Sequence, residues 1–150
     1  MDKVLLSSKK MNWETPQKMF DKWNEEFHFT LDPCAEVSTA KCDKFYTIED
    51  DGLTKDWSNE VVFCNPPYGK EISKWVEKCY NESLKGTTIV LLIPARTDTR
   101  YFHKFIYNKP NIETRFLKGR LCFLLDGQRL NPAPFPSMLV IFNNKKDEAN

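Results

Sequence analysis

Apolar positions along this chain alternate between helical spacing and short unbroken runs, and that alternation predicts a series of elements. Met19, Phe20, Trp23 and Phe27 recur on one face of a helix of about three turns, with Thr15 as N-cap and Pro16 at the first helical position. Phe27, Phe29 and Leu31 then alternate with polar neighbours and run into Asp32-Pro33, where proline ends a first strand on a carboxylate. The spacing predicts a short helix over 36–42, a brief strand over 44–47 and a turn at Asp50-Asp51-Gly52. Val61-Val62-Phe63-Cys64 is apolar on both faces, as a central parallel strand is, and it stops at Asn65-Pro66-Pro67-Tyr68-Gly69. Ile72, Trp75, Val76 and Cys79 mark a helix over 70–84, and 88–93 is a further buried strand ending at Pro94. Thr97 or Asp98 caps another helix, whose apolar side is Tyr101, Phe102, Phe105 and Ile106. Strands around 114–117 and 120–125, a loop through Pro132, Pro134 and Pro136, and a last strand over 138–142 complete the pattern. The first ten residues read as a loose arm and residues 143–150 as a polar tail.

Strands alternating with helices predict an α/β fold with a doubly wound, mostly parallel sheet, and 150 residues suffice for a single compact domain. Ligands then gather at the carboxyl ends of the strands, where Asp32, Asn65 and Pro94 sit. No apolar run approaches eighteen residues, which excludes a membrane-spanning helix. Lys9, Lys10 and Asn12 interrupt any signal peptide, so the expected location is the cytoplasm. The five cysteines are odd in number and spread without a C-x-x-C pair, and the two histidines complete no ligand set, so neither a disulfide scaffold nor a metal is expected.

The formal net charge of +1 hides a division. Residues 11–60 carry twelve Asp/Glu against five Lys/Arg, a net of −7, and residues 94–130 carry eight Lys/Arg against three Asp/Glu, a net of +5. Solvated charge runs explain such blocks, and so does function: an acidic half suits a cationic small molecule and a basic half suits phosphates.

Asn65-Pro66-Pro67-Tyr68 is the most informative segment. It resembles the Asp/Asn/Ser-Pro-Pro-Tyr/Phe/Trp motif of the amino-directed methyltransferases that use S-adenosylmethionine. More narrowly, the chain resembles the compact phage-type DNA N-6-adenine methyltransferase (Dam) family. The resemblance runs through Trp13-Glu14-Thr15-Pro16, Leu31-Asp32-Pro33-Cys34-Ala35, Asp51-Gly52-Leu53, Asn65-Pro66-Pro67-Tyr68-Gly69, the segment 93–99, Phe116-Leu117-Lys118-Gly119-Arg120 and the segment 133–138. It implies a Rossmann-like methyltransferase fold, S-adenosylmethionine as cofactor, double-stranded DNA as partner and transfer of a methyl group to N6 of adenine. The sequence leaves the oligomeric state open, a homodimer included.

The resemblance also implies roles. Asn65 and Pro66 accept the two N–H bonds of the target amine, Pro67 holds the Pro66 carbonyl rigid, and Tyr68 stacks on the flipped base. Thr15, Pro16, Asp32, Pro33, Cys34, Asp51, Leu53 and Asn65 surround the cofactor: Asp32 takes its methionyl part, and Asp51 with Leu53 holds the adenine or ribose. Cys34-Ala35 stands where related chains often have a glycine-rich turn. Thr15 reads equally as a simple cap. Asp50 exchanges with Asp51 as a candidate, and Asp51 reads equally as a solvated turn. Arg96 and Asp98 read either as substrate contacts or as a local ion pair and helix cap. Lys118, Arg120 and Arg129 read either as phosphate contacts or as surface charge. The rings of Trp13, Trp57 and Trp75 are assigned mostly to the core. Alternatives to the adenine reading are a cytosine-N4 or other amino acceptor, a non-catalytic nucleic-acid-binding module on the same fold, and a subunit active only with a partner.

Overall fold

The computed structural model describes residues 13–143; the expected arm, and the tail beyond Asn143, lie outside the described residues. Six strands form one sheet in the order β2 (Lys44–Phe45), β1 (Leu31–Asp32), β3 (Val61–Cys64), β4 (Thr88–Pro94), β8 (Ser137–Asn143) and β5 (Ile112–Phe116). All run parallel except β8, which is antiparallel to both neighbours, with Leu92 opposite Leu139 and Arg115 opposite Leu139. The sheet is therefore mostly parallel, and β4 and β8 at its heart are buried almost throughout, as continuous apolar runs require.

Helices cover both faces. Successive strand residues point to opposite sides, so Phe63 and Cys64 report one face each. Phe63 packs on Phe20 and Trp23 of α1 (Gln17–Phe27), with ring centroids 5.2 and 6.1 Å apart. Cys64 meets Cys79 of α2 (Ile72–Ser83), and burial pushes its thiol well above the usual range. The helix α2 carries the chain from β3 to β4, which pair in parallel.

Several local expectations are corrected. Pro16, not Thr15, occupies the N-cap of α1, and no side chain caps that end. Phe29 precedes rather than joins the first strand: His28 turns into the left-handed region with its N–H on the Asn24 carbonyl, and pairing to β3 begins at Leu31. Residues 36–42 form no helix, because the Asp32 carboxylate draws the N–H groups of Cys34 and Lys41 and the segment wraps around it. The helix expected after Pro94 is present but short, over 100–106 with wider turns at Phe102–Ile106, and its Phe102 N–H is taken by the Thr99 hydroxyl at 3.3 Å, not by Thr97 or Asp98. The strand expected over 120–125 survives as β6 (Leu124–Leu125), paired with β7 (Gln128–Arg129) in a separate hairpin. Its turn is Asp126-Gly127, with φ of 52° and 80°, the left-handed pair that a two-residue hairpin loop demands.

Candidate active site

The carboxyl ends of β1 and β3 and the turn after β2 open into a cavity of about 590 Å³. Of the cofactor candidates, Thr15, Asp32, Pro33, Cys34, Asp51 and Asn65 line it together. Pro16 and Leu53 do not line it; Pro16 caps α1, and Leu53 packs half-buried against the core. Asp32 is 5% exposed, and both carboxylate oxygens accept backbone N–H groups, from Cys34 at 3.3 Å and Lys41 at 3.0 Å. Burial outweighs those bonds and holds its carboxyl above the ordinary value. Burial likewise pushes the Cys34 thiol far up, and Cys42 to about 12, so neither sulfur is a thiolate nucleophile.

Asp50 and Asp51 differ in placement. Asp50 is committed to the Thr47 N–H at 2.9 Å, which lowers its carboxyl, whereas Asp51 lines the cavity with φ of 59° and accepts the Leu53 N–H. Gly52 beside it has no room for a side chain, since a Cβ there would lie 2.1 Å from the Pro33 carbonyl oxygen. That close approach seals the turns 33–36 and 51–54 into one wall.

Asn65 stands at the end of β3 on the rim. Its amide nitrogen donates to the Trp13 carbonyl and, at 3.0 Å, to the Thr15 hydroxyl. Its oxygen lies 2.9 Å from the Tyr68 hydroxyl, which also lies 3.1 Å from the Leu92 carbonyl oxygen. Thr15, 2% exposed, is thus an Asn65 partner rather than a helix cap. The Tyr68 ring, expected to lie open for stacking, is 6% exposed and enclosed by Trp13, Phe123 and Phe135. Those neighbours are brought by the 121–135 segment and by residues 13–15, so the burial comes from tertiary packing and not from the motif itself.

The basic candidates follow the carboxyl ends of β4 and β5, but none lines the cavity. Arg96 is exposed, with its guanidinium 6.0 Å from the centroid of the Phe135 ring, and makes no ion pair with the exposed Asp98. Lys118 is exposed beside an open groove between α1 and β5. Arg120 donates to the Ala133 carbonyl at 3.3 Å and Arg129 to the Cys122 sulfur at 3.3 Å. Trp57 is a core residue, Trp75 is buried and also lines the cavity, and Trp13 is half-buried and lines it too.

Sequence reading missed Glu14, Lys41 and the hairpin. Glu14 exchanges both backbone hydrogen bonds with Leu124, so residues 13–15 tie the hairpin to the cavity. The Asp126-Gly127 pair between apolar positions was the available signal for that hairpin. Acids dominate the lining: Glu14, Asp32, Glu36, Glu49, Asp51 and Asp126 stand against Lys41 alone. Glu14 Oε1 is buried without a donor, and its other oxygen is 3.6 Å from Lys41 Nζ. A cation of nucleoside size fits such a chamber in both volume and charge. Among the described residues, no three His, Cys, Asp or Glu side chains cluster to hold a metal, and no helix is long and apolar enough to cross a membrane.

Comparison with known proteins adds the following. The chain matches the DNA N-6-adenine-methyltransferase (Dam) family over residues 3–150. It is 29% identical over 137 residues to the DNA N-6-adenine-methyltransferase of Haemophilus phage HP1 (strain HP1c1), covering 89% of this chain and 79% of that one. It is 28% identical over 102 residues to the DNA N-6-adenine-methyltransferase of Escherichia phage T1, covering 67% of this chain and 42% of the relative.

Proposed function

The chain belongs to the DNA N-6-adenine-methyltransferase (Dam) family, and from that premise we propose how its site works, with S-adenosylmethionine in the 590 Å³ cavity and double-stranded DNA at the basic loops beyond it. The protein is an adenine-specific DNA methyltransferase. We read its sheet, with helices on both faces and the last strand inserted antiparallel, as a Rossmann-like methyltransferase fold, and residues 1–150 as one methyltransferase domain.

The observation that carries the mechanism is Asn65 on the rim of an acidic cavity with its amide fixed at both ends. S-adenosylmethionine, when bound, supplies an electrophilic methyl group on a sulfonium. The exocyclic amine of adenine is a weak nucleophile because its lone pair is delocalised into the ring. Asn65 Oδ1 retains a lone pair beyond the one facing Tyr68, and with the Pro66 carbonyl it accepts the two amine N–H bonds. Those bonds favour a lone pair localised on nitrogen and pointed out of the ring plane. Because Pro66 and Pro67 restrict the backbone and Asn65 is already hydrogen-bonded, little reorganisation remains for the transition state. Asp32 and Asp51 hold the cofactor, Asp32 at its cationic methionyl end and Asp51 at its nucleoside end; Thr15 supports the rim through Asn65. Arg96, Lys118, Arg120 and Arg129 contact DNA phosphates, with Asp98 beside them, and nothing in the chemistry asks a cysteine to act as a nucleophile.

The test pairs binding with turnover. Calorimetric titration of S-adenosylmethionine should show one site per chain. Asn65→Ala should leave that affinity within about twofold and lower methyl transfer to DNA by about a hundredfold, since it removes an acceptor used in the transition state. Unchanged turnover in Asn65→Ala contradicts the mechanism.

A further inference from the structure

The two edges of the sheet differ. β2 is two residues long and exposes Lys44, which is paired with Glu60; so short and charged a strand offers little template for pairing. β5 runs for five residues, Ile112–Phe116, and among the described residues no strand lies on its side away from β8. The Asn143 N–H donates to the Asn111 carbonyl at 3.0 Å and the Leu117 N–H to the Ser137 carbonyl at 3.1 Å, which fixes the alternation of the β5–β8 ladder. Residues 111, 113, 115 and 117 turn their backbone groups to β8, so Ile112, Thr114 and Phe116 turn theirs outward. Those outward N–H and C=O groups take no partner among the described residues.

The sequence of this edge is complementary to itself. A second copy turned by half a revolution, about an axis through Thr114 and normal to the sheet, pairs antiparallel with the first. Thr114 then stands opposite Thr114, Glu113 opposite Arg115, and Ile112 opposite Phe116. The outward-facing residues meet one another, and each of their pairs exchanges both N–H···O bonds. A register shifted by one residue would set outward groups against groups already bound to β8. A shift by two would set Glu113 against Glu113 or Arg115 against Arg115.

The side chains agree with the backbone. Arg115 donates twice to Glu26 of α1 at 2.8 Å and once to Glu113 at 2.7 Å, so Glu113 and Arg115 lie on the α1 face. The half-turn keeps the two faces, so Arg115 of each copy meets Glu113 of the other in a non-hydrogen-bonded pair, where side chains approach most closely. On the opposite face Phe116, 62% exposed, covers the half-buried Ile112 of the second copy. The groove between α1 and β5 is open, so α1 leaves the edge uncovered.

We infer that β5 is a docking edge for a second copy of this chain, joined across a two-fold axis at Thr114 into one continuous sheet. The half-turn reverses strand direction, so the two cavities open at opposite ends of the joined sheet and each chain keeps a whole site of its own. The interface is one short ladder, so association is weak, with a dissociation constant of about 1–100 µM.

Sedimentation velocity of the full chain tests this edge. The wild type should be mostly dimer at about 200 µM and mostly monomer at about 0.5 µM. Thr114→Pro removes an outward N–H and spares the bonds to β8, so it should be monomeric at both concentrations with an unchanged circular dichroism spectrum. Glu113→Arg and Arg115→Glu each bring like charges together on both sides of the axis and should weaken association at least about tenfold. An equimolar mixture of those two variants sets opposite charges against each other again and should associate within about threefold of the wild type. Wild-type protein that stays monomeric at the higher concentration overturns the proposal. So does a dimer that survives Thr114→Pro, because it lies on another surface. A mixture of the two charge variants that associates no better than either alone overturns the register.

Discussion

Around the cavity, three polar candidates are committed to fixed partners: Asp32 to two backbone N–H groups, Asn65 to Trp13, Thr15 and Tyr68, and Asp51 to Leu53. Across the carboxyl edge, the basic candidates of the segment 94–136 behave differently. Arg96 and Lys118 stand in solvent, and Arg120 and Arg129 make single contacts at 3.3 Å to a carbonyl and a sulfur. A small ligand of constant shape rewards groups held in place before it arrives. A charged polymer that must slide and be bent is gripped instead by adaptable cations, each contributing little and exchanging counterions for phosphates. In the proposed function, the −7 segment 11–60 and the +5 segment 94–130 are two modes of recognition at one sheet edge.

That contrast can be broken at the rigid side first. Gly52→Ala should cost about 2–3 kcal/mol of stability, because the new Cβ meets the Pro33 carbonyl oxygen at 2.1 Å and the two turns of the wall must separate. Denaturant midpoints measure it, and an unchanged midpoint would show that the wall is not closed by this contact.

A smaller effect is expected at Asp32. Asp32→Ala should weaken S-adenosylmethionine binding about tenfold to fiftyfold, or about 1.4–2.3 kcal/mol by calorimetry. The wild type should also respond to pH in two opposed ways. Burial raises the folded carboxyl above its unfolded value near 3.9, so the cofactor-free protein loses stability as pH climbs from that value through the folded one. The cationic cofactor prefers the ionised carboxylate, so its affinity rises over the same interval. Asp32→Asn should flatten both profiles, and a variant that keeps the wild-type slopes would assign the titration to another group.

The exposed side should yield the smallest effects. Lys118→Ala, Arg120→Ala and Arg129→Ala should each weaken DNA binding about twofold to fivefold and reduce the salt slope by about one per lost phosphate contact. Cofactor affinity should not change in any of them. A single substitution here that abolished DNA binding would mean that the basic side is as preorganised as the acidic one.

How much of this was legible in the sequence differs between the same two regions. The strands β3 and β4 and the two helices announce themselves through apolar runs and 3.6-residue periodicity, because burial acts on local pattern. Asp32 and Asn65 were readable because each ends such a run beside a proline. The segment 36–42 reads as a helix but is not one: its Lys41 N–H goes to the Asp32 carboxylate, a partner nine residues away that no local pattern encodes. Thr15 looked like a cap because its hydroxyl partner, Asn65, is fifty residues distant. The 120–136 region was least legible: its strands are two residues long, its apolar side chains serve the aromatic cluster with Trp13, and its one clear local signal was Asp126-Gly127.

The central claim, that one chain brings a methyl donor in the acidic cavity to an adenine amine held by Asn65, is tested most directly by the identity of the product. Unmethylated duplex DNA is incubated with the protein and S-adenosylmethionine labelled in its methyl group, digested to nucleosides and resolved by mass. The account predicts label in N6-methyladenine, lost in Asn65→Ala. Label in N4-methylcytosine, or no labelled nucleoside from a protein that binds the cofactor, would contradict it.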